Sequence, residues 1–168
     1  MSVLFSTERP DWETPQALFD ALNVEFRFET DVCATAENAK VPNFFSPEKD
    51  GLIQPWRGTC WMNPPYGRRE TGKWIAKAYG ASRYYAATVV CLVPARTDTR
   101  WWHEYVMRAS EIRFVRGRVR FVGATNDAPF SPVVVVFEFG RGVPKISSYT
   151  LPGGQVIFAT APVGGAPE

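Results

Sequence analysis

The stretch Thr59-Cys60-Trp61-Met62-Asn63-Pro64-Pro65-Tyr66 constrains this chain more than any other. Its first four residues read as a short, buried strand, and two prolines end that strand abruptly because proline has no N–H to give to a sheet ladder. An amide, two rigid residues and an exposed aromatic at a strand's carboxyl end make a poor piece of core. They make a good cradle for a planar amine. Pro65 restricts the backbone of Pro64, so the Pro64 carbonyl points in a set direction. An exocyclic amine has two N–H donors, and the Asn63 side-chain oxygen and the Pro64 carbonyl offer two acceptors. The Tyr66 ring can cover the face of the attached heterocycle.

At 168 residues the chain is one domain by length and can bury a sizeable core. Six Trp, six Tyr and twelve Phe imply an aromatic core. Trp56, Trp61, Trp74, Trp101 and Trp102 belong to it on that reading, although such rings can also stack on bases. Net charge is only +2, so a nucleic-acid partner needs local charge. Two clusters supply it: Arg68, Arg69 and Lys73 after the tetrapeptide, and Arg113, Arg116, Arg118 and Arg120 later. A solvated face is the plain alternative for each cluster.

Cys33, Cys60 and Cys91 are odd in number and widely spaced, which fits a reducing cytoplasm better than a disulfide framework. One histidine, His103, leaves little room for a His-dependent triad or a His-rich metal site, and no metal is expected. There is no signal peptide or long apolar span, so neither secretion nor a membrane partner is expected.

Thr14 fits a helix N-cap and Pro15 the first helical position, followed by an apolar stripe of Leu18, Phe19 and Leu22. A first strand and its exit loop follow at 30–34, then an irregular polar stretch over 35–58. A helix is expected over 71–84, a strand over 86–93 and a helix over 98–109. Short strands are expected over 111–115 and 118–122, divided by Gly117. A strong apolar strand, possible in the antiparallel sense, spans 132–139, and a last strand or hairpin lies within 146–160. Residues 1–160 form a single domain without a separate target-recognition domain, and 161–168 a flexible tail. Strands alternating with helices predict an α/β fold whose ligands sit at the carboxyl ends of the strands, where Asp31 and the tetrapeptide both fall.

The ordered set Trp12-x-Thr14-Pro15, Asp31-Val32-Cys33-Ala34 with Asn38 and Lys40, Asp50-Gly51-Leu52 and Asn63-Pro64-Pro65-Tyr66 resembles the phage-type (Dam-type) DNA N6-adenine methyltransferases. The runs Pro94–Thr99 and Gly117–Phe121 extend the resemblance, which covers residues 10–140 in motif order. It implies a Rossmann-like methyltransferase fold with a mixed, mostly parallel sheet flanked by helices. It also implies S-adenosylmethionine as methyl donor, double-stranded DNA as partner, and direct transfer to N6 of a flipped adenine at Asn63, Pro64, Pro65 and Tyr66.

Under the resemblance, Thr14, Pro15, Asp31, Ala34 and Asp50 contact the donor. Asp31 would meet its ammonium. Thr14 would bind its methionine part or simply cap a helix, and Asp50 would bind its adenine amine or ribose or simply shape a turn. Arg68, Arg69, Lys73, Arg116 and Arg118 would touch DNA. Phe130 would cover the second face of the flipped base or pack on the core. The turn Cys33-Ala34-Thr35-Ala36 stands where most methyltransferases have Gly-x-Gly, so a positive φ is not assured there. Relatives acting on RNA adenine or a protein glutamine share the cradle, and a non-catalytic nucleic-acid-binding module is the alternative of another class. A monomer or weak dimer is expected.

Overall fold

Along the strand β3 (Thr88–Pro94), Val89, Cys91 and Val93 enter one hydrophobic cluster, while Val90 and Leu92 enter another on the opposite face. The same alternation runs through β2 (Thr59–Met62) and β5 (Pro132–Phe137). A strand covered on both faces reads as an unbroken apolar run, which is why Val133–Val136 carries no polar residue. The structure, a computed structural model, describes residues 12–150 apart from positions 125, 127 and 141.

The other elements are α1 (Gln16–Phe26), β1 (Thr30–Asp31), α2 (Glu70–Tyr84), α3 (Arg100–Glu104), β4 (Glu111–Arg116) and β6 (Lys145–Thr150). The six strands form one sheet in the order β1-β2-β3-β5-β4-β6. The pairs β1–β2, β2–β3 and β4–β6 are parallel, and β5 runs antiparallel to both of its neighbours. Five strands therefore share one direction and β5 alone is reversed. The sheet is mixed and mostly parallel, as the resemblance implies, and its helices give the α/β fold that the alternating pattern predicts. α1 covers one face through Leu18, Phe19 and Leu22. α2 and α3 cover the other through Trp74, Ile75, Ala78, Trp101 and Trp102. Each such Leu, Ile or Phe contributes about 1.5–3 kcal/mol on burial. All five tryptophans between 56 and 102 are at most 9% exposed, so they belong to the core.

Several local expectations change. Helix α1 starts at Gln16, Pro15 occupies the N-cap position, and no side chain caps it. Thr14 is therefore not the N-cap; its hydroxyl is turned toward Asn63. The 98–109 helix is broken into α3 and a 3-10 turn at Val106–Arg108. Residues 118–122 alternate like a strand, with Val119 and Phe121 buried between exposed neighbours, yet among the described residues they have only one bridge, Glu13 with Val122. Burial alternation without a neighbouring strand gives an extended segment, not a sheet strand. Strand β6 is parallel to β4, and the rest of 146–160, like the tail at 161–168, lies outside the described residues.

Candidate active site

Asp31 and Asn63 close adjacent parallel strands at the same end of the sheet. Asp31 pairs in register with Trp61, so Asn63 lies two residues further along, roughly 7 Å by strand rise. Both line a cavity of about 550 Å³. Thr14, Ala34, Asp50, Pro64, Pro65 and Tyr66 line it as well, so most of the residues singled out in sequence converge on one hollow. Pro15 is not in its wall; its part is to begin α1.

On the β1 side, Asp31 is 2% exposed. Its carboxylate accepts the backbone N–H of Cys33 at 3.3 Å and of Lys40 at 3.1 Å. Burial nevertheless raises its pKa, outweighing those two N–H groups and the Lys40 charge. A buried carboxylate of this kind is a natural seat for a cation. Residues 35–58 are irregular, as expected, and protect the sheet edge: Asp31 N–H donates to the Asn43 carbonyl and Phe45 N–H to the Asp31 carbonyl, both at 2.9 Å.

The turn at 33–36 is built without glycine because its backbone does not need one. Among the described residues the non-glycine positive φ values are those of Arg27, Asp50 and Ala86, none of them in this turn. Instead Asn38 accepts the Thr35 N–H at 2.7 Å and shapes the loop through its side chain. The tight spot is Gly51, where a Cβ would lie 2.2 Å from the Val32 carbonyl. Asp50 precedes it at φ 51° and accepts the Leu52 N–H at 3.1 Å. Asp50 thus shapes a turn while also lining the cavity.

On the β2 side, both N–H groups of the Asn63 amide are engaged. Its Nδ2 donates to the Trp12 carbonyl at 2.6 Å and to the Thr14 hydroxyl at 3.0 Å. Its Oδ1 lies 2.6 Å from the Tyr66 hydroxyl. The Thr71 hydroxyl donates to the Pro65 carbonyl at 3.1 Å and pins the loop to α2. Among the described residues nothing donates to the Pro64 carbonyl.

Tyr66 differs from the exposed aromatic expected. Its hydroxyl points inward to Asn63 and to the Leu92 carbonyl at 2.9 Å. Burial pushes its phenol well above the ordinary range. Its ring meets Phe130 edge-on, with centroids 5.3 Å apart and planes at 89°. Phe130 also packs on Trp12 and Phe121, so it sits in a cluster of four aromatic rings rather than across an open slot from Tyr66.

Arg68, Arg69, Arg116 and Arg118 are exposed beyond the carboxyl end of the sheet, and Arg118 also donates to the Ala128 carbonyl at 3.3 Å. Lys73 is exposed but paired with Glu70 at 3.0 Å. Arg113 leaves the basic cluster altogether: it is buried in a two-pronged pair with Glu25, both contacts at 2.7 Å, and reaches Glu111 as well. Arg113 and Arg116 look alike in sequence, but residues of opposite parity leave opposite faces of a strand.

The part of the site that sequence reasoning missed is the pair Glu13 and Lys40. The Lys40 ammonium is almost buried and lies 3.2 Å from Glu13, and both residues line the cavity. They are 27 residues apart and share no helical or strand period, so only the folded chain brings them together. Among the described residues no group of three His, Cys, Asp or Glu could hold a metal ion.

Residues 1–137 match the family model described as DNA N-6-adenine-methyltransferase (Dam). The chain is 34% identical over 136 residues to the DNA N-6-adenine-methyltransferase of Haemophilus phage HP1 (strain HP1c1), covering 76% of this chain and 78% of that one. Among solved structures it is similar to a chain of a type I R-M system at 15% identity and a TM-score of 0.44, covering 76% of this chain and 32% of the other. That likeness is too weak to bear on the site. The family match spans nearly the whole described core, and the chain belongs to the Dam family of DNA N-6-adenine-methyltransferases.

Proposed function

We propose that this protein transfers a methyl group from S-adenosylmethionine directly to N6 of adenine in DNA. One observation carries the reading: Asp31 and the Asn63 cradle open into a single cavity at neighbouring strand ends. The sheet order, with one reversed strand set among parallel ones, supports a Rossmann-like methyltransferase fold. The donor set fits S-adenosylmethionine. Asp31 offers a buried carboxylate for the ammonium, Asp50 a carboxylate for the adenosine end, and Trp74 and Phe45 apolar wall. When bound, S-adenosylmethionine supplies a methyl group on a sulfonium, which makes that methyl electrophilic.

The chain's residues then have a short list of tasks. Asn63 Oδ1 has a second lone pair beside the one facing Tyr66, and the Pro64 carbonyl has both. Together they accept the two N–H bonds of the adenine amine, which draws its lone pair out of conjugation. Positioning supplies most of the effect, and the nitrogen sheds one proton to solvent once methylation has made it acidic, so no nucleophile or histidine base is needed. His103 agrees with this: it is exposed and bonds the Thr97 carbonyl at 2.9 Å. An adenine in a duplex must swing out to reach the cavity, and the exposed Arg68, Arg69, Arg116 and Arg118 would hold the phosphates.

The test is incubation with unmethylated duplex DNA and methyl-labelled donor, followed by mapping of N6-methyladenine. Label on adenine N6, lost in Asn63→Ala, is the expected result. Label on RNA or on a glutamine amide, or label unaffected by Asn63→Ala, overturns the reading.

A further inference from the structure

We infer that Thr14, with the backbone carbonyl of Trp12, is the positioning group that sets which end of the Asn63 amide faces the target amine. The inference rests on the amine-cradle reading and adds a role that Thr14 does not have as a helix cap or a donor ligand. An asparagine amide has a donor end and an acceptor end of nearly the same shape, and only the acceptor end can receive an amine N–H. Something must therefore hold the amide the right way round.

The structure assigns that task to the segment 12–14. The Trp12 carbonyl can only accept, so the Asn63 atom 2.6 Å from it must be Nδ2. The second Nδ2 proton goes to the Thr14 hydroxyl at 3.0 Å. Both donors of the amide are thereby consumed on one side, and Oδ1 is left facing Tyr66 and the cavity. A flipped amide would set two acceptors against each other at the Trp12 carbonyl.

The segment is itself held at several points, which is what a positioning element needs. Thr14 is 1% exposed. The Glu13 side chain pairs with Lys40, whose backbone N–H binds Asp31. The Glu13 carbonyl accepts the Val122 N–H at 3.0 Å. The Trp12 ring lies edge-on to Phe121 and Phe130, at 5.3 and 5.2 Å. Pro15 then fixes the entry into α1. The first described segment of the chain thus touches the cavity from the Lys40 side to the Tyr66 side.

The experiment compares wild type, Thr14→Val, Thr14→Ser and Asn63→Ala. Valine keeps the shape and removes the acceptor, and serine restores it. We expect Thr14→Val to slow single-turnover methyl transfer at saturating donor and DNA by roughly tenfold or more, since a misplaced group costs that much or more. Donor and DNA dissociation constants should stay within about twofold, and serine should recover the rate. A second readout needs no activity. The Asn63 side-chain NH₂ resonances, assigned by their loss in Asn63→Ala, should exchange slowly in wild type and faster in Thr14→Val. Wild-type rates in Thr14→Val, a loss confined to donor affinity, or Asn63 NH₂ protons that exchange like exposed amides would each overturn the inference. Failure of the amine-cradle reading shows separately, as an Asn63→Ala variant that still methylates.

Discussion

The hydroxyl of Tyr66 stands between the side-chain oxygen of Asn63, 2.6 Å away, and the backbone carbonyl of Leu92, 2.9 Å away. It has one proton for two acceptors. The hydroxyl therefore ties the cradle on β2 to the neighbouring strand β3, while the ring packs against Phe121 and Phe130. The two parts of this side chain should separate on mutation. Tyr66→Phe keeps the packing and is expected to cost about 1 kcal/mol of stability and a moderate fraction of activity. Tyr66→Ala also opens the aromatic cluster and should cost about 3 kcal/mol with activity abolished. Thermal melts beside methyl-transfer rates check both; a Tyr66→Ala protein melting like wild type would show that the ring is not part of the packing.

Asp31 predicts a pH dependence with a definite sign. Burial raises its carboxyl above the ordinary 3.8 even though the N–H groups of Lys40 and Cys33 pull the other way. The folded chain then holds this proton more tightly than the unfolded chain does. Stability of the donor-free protein from this group is greatest below the unfolded value and is lost as pH rises through the raised one. Affinity for an ammonium-bearing donor runs in the opposite direction, because only the ionised carboxylate attracts it. Calorimetric titration should show donor binding weakening as pH falls from neutral into the carboxylate range, with Asp31→Asn weak and flat throughout. A wild-type affinity that does not change over that range would remove Asp31 from the ammonium site.

Arg113 and Arg116 make a paired test of the basic cluster. The Arg113 side chain is 4% exposed and its partner Glu25 42%. Arg113→Ala should cost about 2–3 kcal/mol, below the range for a fully buried pair because Glu25 is solvated. Arg116→Ala should leave stability within about 0.5 kcal/mol of wild type. It should instead lower the slope of log binding constant against log salt by about 1 on duplex DNA. A binding titration across salt concentrations decides, and a slope unchanged by Arg116→Ala would take that side chain off the DNA.

The three cysteines should react in a fixed order. Burial pushes the Cys60 thiol up to about 12 and the Cys91 thiol well above its usual value. The thiolate is the reactive form, so both are expected to be inert in the folded protein. Cys33 is half-buried and lines the cavity beside Asp31. An alkylating reagent followed by mass spectrometry should find Cys33 modified first, more slowly with donor present, and the other two only after denaturation. Equal labelling of Cys91 would mean that β3 is not the buried centre of the sheet.

Much of the architecture is legible in the sequence because its signals are local. The apolar run at 132–137, the helix stripe of Trp74, Ile75 and Ala78, and the proline stop at 64–65 each follow from backbone chemistry and period. The reading failed where local pattern and tertiary company diverged. Thr14 before Pro15 has the chemistry of a cap, yet a distant amide claimed its hydroxyl. Residues 118–122 have a strand's alternation and, among the described residues, no strand beside them. Arg113 falls within a local basic cluster in sequence and spends its charge on Glu25.

By itself, then, the sequence determined most of the elements, the strand that must stop just before Asn63, and the set of residues able to grip an amine and a cation. Those depend on side-chain chemistry and on spacings of a few residues. Only the tertiary structure decided that Trp12 and Thr14 hold the Asn63 amide, that Glu13 and Lys40 pair across 27 residues, and that Tyr66 turns its hydroxyl inward. Hydrogen bonds and ion pairs between segments far apart in the chain have no period to read; they exist only after the sheet has brought its strand ends together.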